Sequence, residues 1–106
     1  MIQVTYFKNK NRVVISGHAF GGEAGHDLVC AGVSALTYTL AANVGNMEEQ
    51  GIVKDAKVNL HKGHGTIRCN AVEGCEDMVK RIYEAVCVGF EILANRFPKN
   101  ISYSVC

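Results

Sequence analysis

The sequence predicts an α+β fold, a two-layer sandwich in which a mixed or antiparallel sheet carries two helices on one face. Two observations lead to this class. Short segments of alternating apolar and polar residues come in pairs, as in β-hairpins, and two longer segments have the features of helices. The resulting order of elements is ββαββαβ. A chain of 106 residues fits one domain over 1–106 and leaves little room for a second.

Alternation of apolar and polar residues predicts two hairpins and a final strand. The first hairpin turns at a polar segment over 8–11, and the second turns over 61–65. Val13 and Ile15 are expected to share the inward face of the second strand. Ala56, Val58 and Leu60 are expected to share that of the third. The predicted strands are Ile2–Phe7, 12–17, 53–60, 66–71 and Ile101–Val105.

The first helix is predicted to begin at Asp27, an acid suited to the N-cap, and to run to about Gly45. A polar segment over 46–51 follows it. Residues 28–44 contain no charged side chain, whereas an ordinary surface helix has a polar face. The sheet can cover one side of this helix, and a second copy of the chain is the simplest cover for the other. The sequence therefore predicts a homodimer.

The second helix is predicted over 73–96, where apolar residues recur every three or four positions. Acidic residues lie near its start and Arg96 lies near its end, an arrangement that the helix dipole favours. Pro98 then stops the helix. This amphipathic pattern predicts a helix with one face on the core.

A glycine-rich stretch separates a histidine from a cysteine. His18 lies at the end of the second strand, and Cys30 is expected in the first helical turn, where unpaired backbone N–H groups and the helix dipole lower the pKa of a thiol. His18 can then act as general base, and the N–H groups can stabilise an oxyanion. The connection over 19–26 is long for a compact domain, which favours a lid or substrate-binding role. The candidate substrate-loop residues are Gly21, Gly22, Glu23, Gly25 and His26.

Two neighbours of Cys30 are candidate supporting residues. Asp27 could orient an imidazole, although capping of the helix alone explains its presence. Ser34 lies one turn after Cys30 on the same helical face and is either a small packing residue or the source of a supporting hydrogen bond.

Charge and cysteine content narrow the function classes. The net charge of +1 argues against a strongly electrostatic nucleic-acid binder, so no direct contact with nucleic acid is expected. Five cysteines without a CxxC pair signal neither a disulfide framework nor a zinc knuckle. No run of eighteen apolar residues and no signal peptide are seen, so a cytoplasmic protein without a membrane segment is expected, and no cofactor or metal.

Two rival functions use the same chain. His18, His26 and Cys30 could form a zinc site, although no fourth ligand is evident. Lys57, Lys62 and Arg68 could make the protein a non-catalytic, ribosome-associated RNA-binding module. These charges are sparse and no aromatic side chain interleaves with them, so a solvated surface is the preferred interpretation. The preferred interpretation of the two histidines in the 61–65 turn, His61 and His64, is likewise that they are solvated.

Two motifs carry a resemblance to a known family. The run Gly17-His18-Ala19, followed by Gly25 and then by Asp27-Leu28-Val29-Cys30-Ala31-Gly32-Val33-Ser34, closely resembles the ribosomal-processing cysteine protease family, often called Prp. Twelve positions separate the histidine from the cysteine. Leu28 stands where the family often has isoleucine. The similarity extends over the whole chain in length and element order, while the specific motifs lie between Gly17 and Ser34.

The resemblance implies a cytoplasmic, dimeric cysteine endopeptidase. It places the catalytic histidine on His18, the nucleophile on Cys30 and the mobile loop of the family on 19–26. Family members remove a short N-terminal extension, apolar and aromatic, from protein twenty-seven of the large ribosomal subunit and so permit ribosome assembly. The implied partner is therefore that ribosomal protein precursor, and the implied chemistry is a Cys–His dyad acting through an acyl-enzyme.

Overall fold

The computed structural model describes residues 1–17 and 26–106, with side chains in the second range from residue 28 onward. The predicted order ββαββαβ is confirmed. The elements are β1 (Ile2–Phe7), β2 (Arg12–Ser16), α1 (His26–Glu49), β3 (Val53–His61), β4 (His64–Ala71), α2 (Glu76–Arg96) and β5 (Ile101–Val105).

The five strands form one mixed sheet with the order β3-β4-β2-β1-β5. All neighbouring strands are antiparallel except β1 and β5, which run parallel with Ile2 opposite Ile101. The two hairpins join through their inner strands, since Val13 of β2 lies opposite Ile67 of β4. After β4, the chain passes through α2 and returns to the far side of β1. The first and last strands of the chain, β1 and β5, are therefore neighbours in the sheet.

Alternation of burial along the strands divides the sheet into a packed face and an open face. Val4, Val13 and Ile67 on the packed face are fully buried together with Leu40 of α1 and Phe90 of α2. Because both helices contribute to this one core cluster, they cover the same side of the sheet. The predicted two-layer α+β sandwich is confirmed.

The helix α1 begins one residue before the predicted cap, so Asp27 is its second residue rather than its N-cap. It also continues through the segment that was predicted to be a polar exit, to Glu49. The buried side chain of Met47 holds this last turn on the core, and the Gln50 N–H donates to the Asn46 carbonyl at 3.1 Å. The polar residues of 46–49 occupy the exposed side of the same turn.

Two further boundaries differ from the prediction. The helix α2 begins at Glu76 rather than at residue 73, because Gly74 adopts a φ of +90° and its N–H donates to the Glu76 carboxylate. In β3, Val58 lies opposite Ile67, on the predicted inward face. Val58 nevertheless remains 41% exposed because β3 is an edge strand that the helices cover incompletely.

By length and composition alone, α1 could cross a membrane, since residues 28–49 form a 22-residue helical segment with a mean hydropathy of 1.4. This finding differs from the expectation of no such segment. The same helix supplies five buried residues to the core: Val29, Val33, Leu40, Val44 and Met47. Their burial in the core accounts for part of this apolarity without a bilayer, whereas Leu28 and Tyr38 of the same helix remain exposed.

Candidate active site

Cys30 lies in the wall of an open cleft of about 140 Å³ at one end of the sheet. Three parts of the chain form this active-site cleft: the start of β1 with the end of β2, the first half of α1, and the turn of the β3–β4 hairpin. Its apolar lining comes from Ile2, Ile15, Val33 and Leu60. Cys30 itself is half-buried and packs against the hydrophobic core.

Cys30 lies slightly further along α1 than the first turn in which it was predicted. Cys30 is the fifth residue of the helix, so it begins the second turn. The Cα–Cβ bonds of a helix tilt toward its N-terminus, which directs the side chain back over the first turn. There the first four N–H groups lack intrahelical acceptors and can stabilise negative charge.

The structure brings Ser34 to the same cleft as Cys30, one helical turn further on, with an exposed side chain. Thr37 also lines the cleft. It is 8% exposed, and its hydroxyl donates to the Val33 carbonyl at 2.7 Å. That bond keeps the polar side chain against its own helix. Sequence reasoning missed Thr37, because a threonine in an uncharged helix gives no sign of which face it occupies.

Most of the other predicted site residues lie outside the described part of the chain. These are His18, Gly21, Gly22, Glu23 and Gly25. The backbones of His26 and Asp27 form the start of α1, close in sequence to Cys30, and their side chains also lie outside the described part.

Gly17, the residue before His18, is fixed against the cleft. Its φ is +99°, and its N–H donates to the Gly63 carbonyl at 3.0 Å. A Cβ atom at this position would collide with the Met1 carbonyl oxygen. Because Gly17 also lines the cleft, the chain reaches His18 from a wall of the same cleft that holds Cys30.

The turn of the β3–β4 hairpin is a part of the cleft that sequence reasoning missed. Leu60, His61, Gly63, His64 and Gly65 line it. His61 lies opposite His64 in the strand register, and both are exposed. No short-range sequence signal could place this turn near residues 17 and 30, because the contact arises from the pairing of β4 with β2.

None of the five cysteines is part of a disulfide. Burial raises the pKa of the Cys69 thiol, partly offset by its hydrogen bond with the Tyr83 hydroxyl. Burial likewise raises the pKa of the Cys87 thiol in α2. Cys69 and Cys87 are therefore core residues. Among the side chains of residues 1–17 and 28–106, no group of three metal-ligating residues comes together.

A cysteine in the wall of an open cleft, on the helix of an α+β sandwich, is an arrangement that suits a thiol-dependent peptidase. Comparison with known proteins gives the family directly. The family model described as "Cysteine protease Prp" matches residues 1–102, and the chain belongs to this family of ribosomal processing cysteine proteases. The enzyme class is therefore a cysteine protease, a peptide hydrolase.

Individual relatives agree with this assignment. The ribosomal processing cysteine protease Prp of Staphylococcus aureus is 32% identical over 90 residues, which cover 84% of this chain and 80% of that protein. A crystal structure of the essential S. aureus enzyme in complex with a substrate peptide has a TM-score of 0.72 at 26% identity, covering 99% of this chain and 97% of the other. A second structure, with a covalently linked product peptide, has a TM-score of 0.71 at 27% identity and the same coverage.

Proposed function

We propose that this protein is the endopeptidase that removes the N-terminal extension of large-subunit ribosomal protein twenty-seven, with Cys30 as nucleophile and His18 as general acid and base. One observation carries this proposal. Cys30 lies in a cleft whose wall also contains Gly17, the residue that precedes His18. A dyad requires its two residues to be within reach of one another, and a cleft shared by Cys30 and the neighbour of His18 supports that requirement.

The proposed reaction has two steps. The Cys30 thiolate attacks the scissile carbonyl, and the tetrahedral intermediate collapses to an acyl-enzyme while His18 protonates the leaving amine. A water molecule that gives its proton to His18 then hydrolyses the thioester, which releases the extension as a carboxylate and restores the thiol. The S. aureus relative with a covalently linked product peptide supports a covalent route for the family.

The described wall of the cleft suits an apolar peptide. Ile2, Ile15, Val33 and Leu60 can remove apolar side chains from water, each worth about 1.5–3 kcal/mol on full burial. We assign Asp27 and Ser34 as supporting residues of the dyad. The loop residues Gly21, Gly22, Glu23, Gly25 and His26 are assigned to contact with the bound peptide.

Dimer formation through α1 is part of the proposal. Five of its exposed residues recur every three or four positions and form one uncharged stripe: Leu28, Ala31, Ala35, Tyr38 and Ala42. Leu28 and Tyr38 are 62% and 65% exposed. A helix face that remains in water usually has polar side chains, so large apolar residues at these positions favour a covered face. A second copy of the chain would cover this stripe. The proposal treats residues 1–106 as one protease domain that acts in the cytoplasm. Sedimentation equilibrium that shows only monomer at micromolar concentration would contradict it.

The test is cleavage of the organism's own ribosomal protein precursor, followed by intact mass. Wild type is expected to remove the extension at one bond, whereas Cys30→Ala and His18→Ala are expected to leave it intact. Cys75→Ala is a matched control, because Cys75 is also half-buried but lies at the start of α2, outside the cleft.

Two outcomes would contradict parts of the proposal. An intact precursor with wild type, together with faster alkylation of Cys30 than of Cys75, would mean a real site with another substrate. Cleavage that persists in His18→Ala would remove the histidine from the dyad. Stoichiometric zinc in the purified protein would favour a metal site over a peptidase, since the proposed mechanism uses no metal.

A further inference from the structure

Charged residues are distributed unequally between the two layers of the sandwich. The two hairpins, residues 2–16 and 53–71, contain seven of the eleven lysines and arginines of the chain but only one of its ten acids, Asp55. The seven cations are Lys8, Lys10, Arg12, Lys54, Lys57, Lys62 and Arg68. The net charge of +1 is therefore the sum of a basic sheet layer and an acidic helical layer.

Three of these cations form a row across the open face of the sheet. Arg12 of β2 lies directly opposite Arg68 of β4, and Arg68 lies directly opposite Lys57 of β3. Their strand neighbours Val13 and Ile67 are buried under the helices, so the three cations project from the other face. We refer to Arg12, Arg68 and Lys57 as the cation row.

The cation row has no anionic partner among the described side chains. Within residues 1–17 and 28–106, none of its three members forms an ion pair, and the Nε atom of Arg12 is buried without an acceptor. Asp55, the nearest acid in sequence, accepts a hydrogen bond from the Asn70 amide at 3.1 Å. Like charges placed directly opposite on a sheet destabilise it. The row is therefore a cost to folding that a bound polyanion would relieve.

An aromatic ring extends the cation row at its β1 end. Phe7 lies opposite Arg12 in the register, and the guanidinium carbon of Arg12 is 4.4 Å from the centre of the Phe7 ring. The row with Phe7 therefore crosses four neighbouring strands, about 14 Å at the usual strand spacing. On one side of the row lie the neutral polar side chains of Thr5 and Thr66, which flank Val14 in the register. On the other side lies Asn70, which donates to Asp55, the one carboxylate of the two hairpins.

We infer that this open sheet face binds RNA, with the cation row on phosphates and the Phe7–Arg12 pair stacking against bases. Cations alone would suit any polyanion, including an acidic peptide. The aromatic ring and the guanidinium that lies over its face favour a ligand with flat bases, because single-stranded RNA is bound on sheet faces by stacking on aromatic rings and on arginine. The surface lies on the side of the sheet away from Cys30, and the inference does not depend on the proposed cleavage.

This inference reverses an expectation drawn from the sequence, namely that the chain makes no direct contact with nucleic acid. That expectation had two premises, a nearly balanced charge and no aromatic residue among the cations. The fold removes both. It places the cations in one layer, and it brings Phe7 and Arg12 beside Arg68, which is far away in the sequence.

The experiment measures binding of the full chain to a short fluorescent single-stranded RNA by anisotropy, over about 50–200 mM salt. Each phosphate contact on a single strand contributes about 0.7 to the slope of log affinity against log salt. The triple variant Arg12→Gln, Lys57→Gln, Arg68→Gln should reduce that slope by about 2 and the affinity at about 0.1 M salt by roughly a hundredfold.

A matched triple variant controls for the change in net charge. Lys80→Gln, Arg81→Gln and Lys99→Gln remove three exposed cations from α2 and the segment after it, and this variant should bind RNA like wild type. Phe7→Leu should weaken RNA binding by at least about fivefold, while binding of heparin, a polyanion without bases, stays unchanged. All variants should cleave a short precursor peptide normally, which separates this inference from the protease proposal.

Several results would overturn the inference. These are no RNA binding by wild type at the lowest salt, equal losses in the two triple variants, or competition by polyglutamate as effective as competition by RNA. The last result would indicate an acidic protein partner. If thermal melting shows that the cation-row triple variant does not fold, the single variant Lys57→Gln, at an exposed position, must still reduce the slope by about 0.7.

Discussion

Replacement of Gly17 by alanine is expected to destabilise the protein by about 2–5 kcal/mol, because two independent costs add at this position. The first is conformational. Gly17 has a φ of +99°, and an L-residue with a side chain loses about 1–2 kcal/mol in the left-handed region. The second is steric. The new Cβ atom would collide with the carbonyl oxygen of Met1, a backbone atom that cannot rotate away.

Relief of that collision would require the chain to move at β1 or at the hairpin turn. Movement of Met1 strains the adjacent bond from the Ile2 N–H to the Asn100 carbonyl, 2.8 Å long. Movement of Gly17 strains its own bond to the Gly63 carbonyl. Overpacking of this kind costs about 1–3 kcal/mol. At about 4 °C per kcal/mol for a domain of slightly more than 100 residues, the total of about 2–5 kcal/mol corresponds to a fall in Tm of roughly 8–20 °C.

Gly74→Ala is the control that separates the two costs. Gly74 has a similar φ of +90°, but a Cβ atom built there has no neighbour within 4 Å, so only the conformational cost remains. Chemical denaturation of both variants gives the difference in free energy of unfolding. If Gly17→Ala destabilises the protein no more than Gly74→Ala, then the close approach of Met1 to Gly17 is wrong, and with it the tight closure of this wall of the cleft.

Two further predictions concern packing and ionisation. Gly89→Ala should lose up to about 2 kcal/mol, because its Cβ atom would lie 2.5 Å from Leu36 Cδ2, whereas Gly45→Ala, with open space around it, should gain about 1 kcal/mol of helix propensity. Chemical denaturation of both, and relief of the Gly89→Ala loss by Leu36→Ala, checks this packing. Tyr6→Phe should raise stability at pH 7 by about 1 kcal/mol, since the buried hydroxyl has no partner in the described chain, whereas Tyr83→Phe removes a hydroxyl that has one and should not. Burial raises the pKa of Tyr6 to about 12, above the unfolded value of 10. Between these two pH values the unfolded chain loses the Tyr6 proton before the folded protein does. The free energy of unfolding of wild type is therefore unaffected by this group below pH 10 and falls as the pH rises to about 12. Chemical denaturation across that pH range should show a smaller fall in the free energy of unfolding for Tyr6→Phe than for wild type. An equal fall in the two proteins would refute the raised pKa of Tyr6.

The elements of the fold could be predicted from the sequence because local rules determine them. Alternation placed Val13 and Ile15 on the packed face, and spacing of three and four residues placed α2. Predictions were wrong where tertiary contacts override local signals. The polar segment after Gly45 stays helical because Met47 has a core to enter, and Val58 stays exposed because only strand order makes β3 an edge.

The candidate site shows the same division. Cys30 and Ser34 could be selected from a helix pattern and from motifs, and both line the cleft. The hairpin turn that completes the cleft could not be selected, because its place there depends on the pairing of Ser16 with His64 across two hairpins. Residues that are close in sequence can be predicted to act together, while those joined only by sheet register cannot.

Strand register also explains why net charge is a poor guide to what this chain can bind. A sheet with helices on one side must expose its other side, and only that side can carry charged residues without the cost of burial. Cations on the strands are therefore concentrated on one surface by the fold itself, while acids on the helices face away from it. In the cation row, register then places Arg12, Arg68 and Lys57 side by side although up to 56 positions separate them in the sequence. A composition that is neutral on average can thus place a cleft that contains Cys30 and a basic surface on separate parts of one small domain.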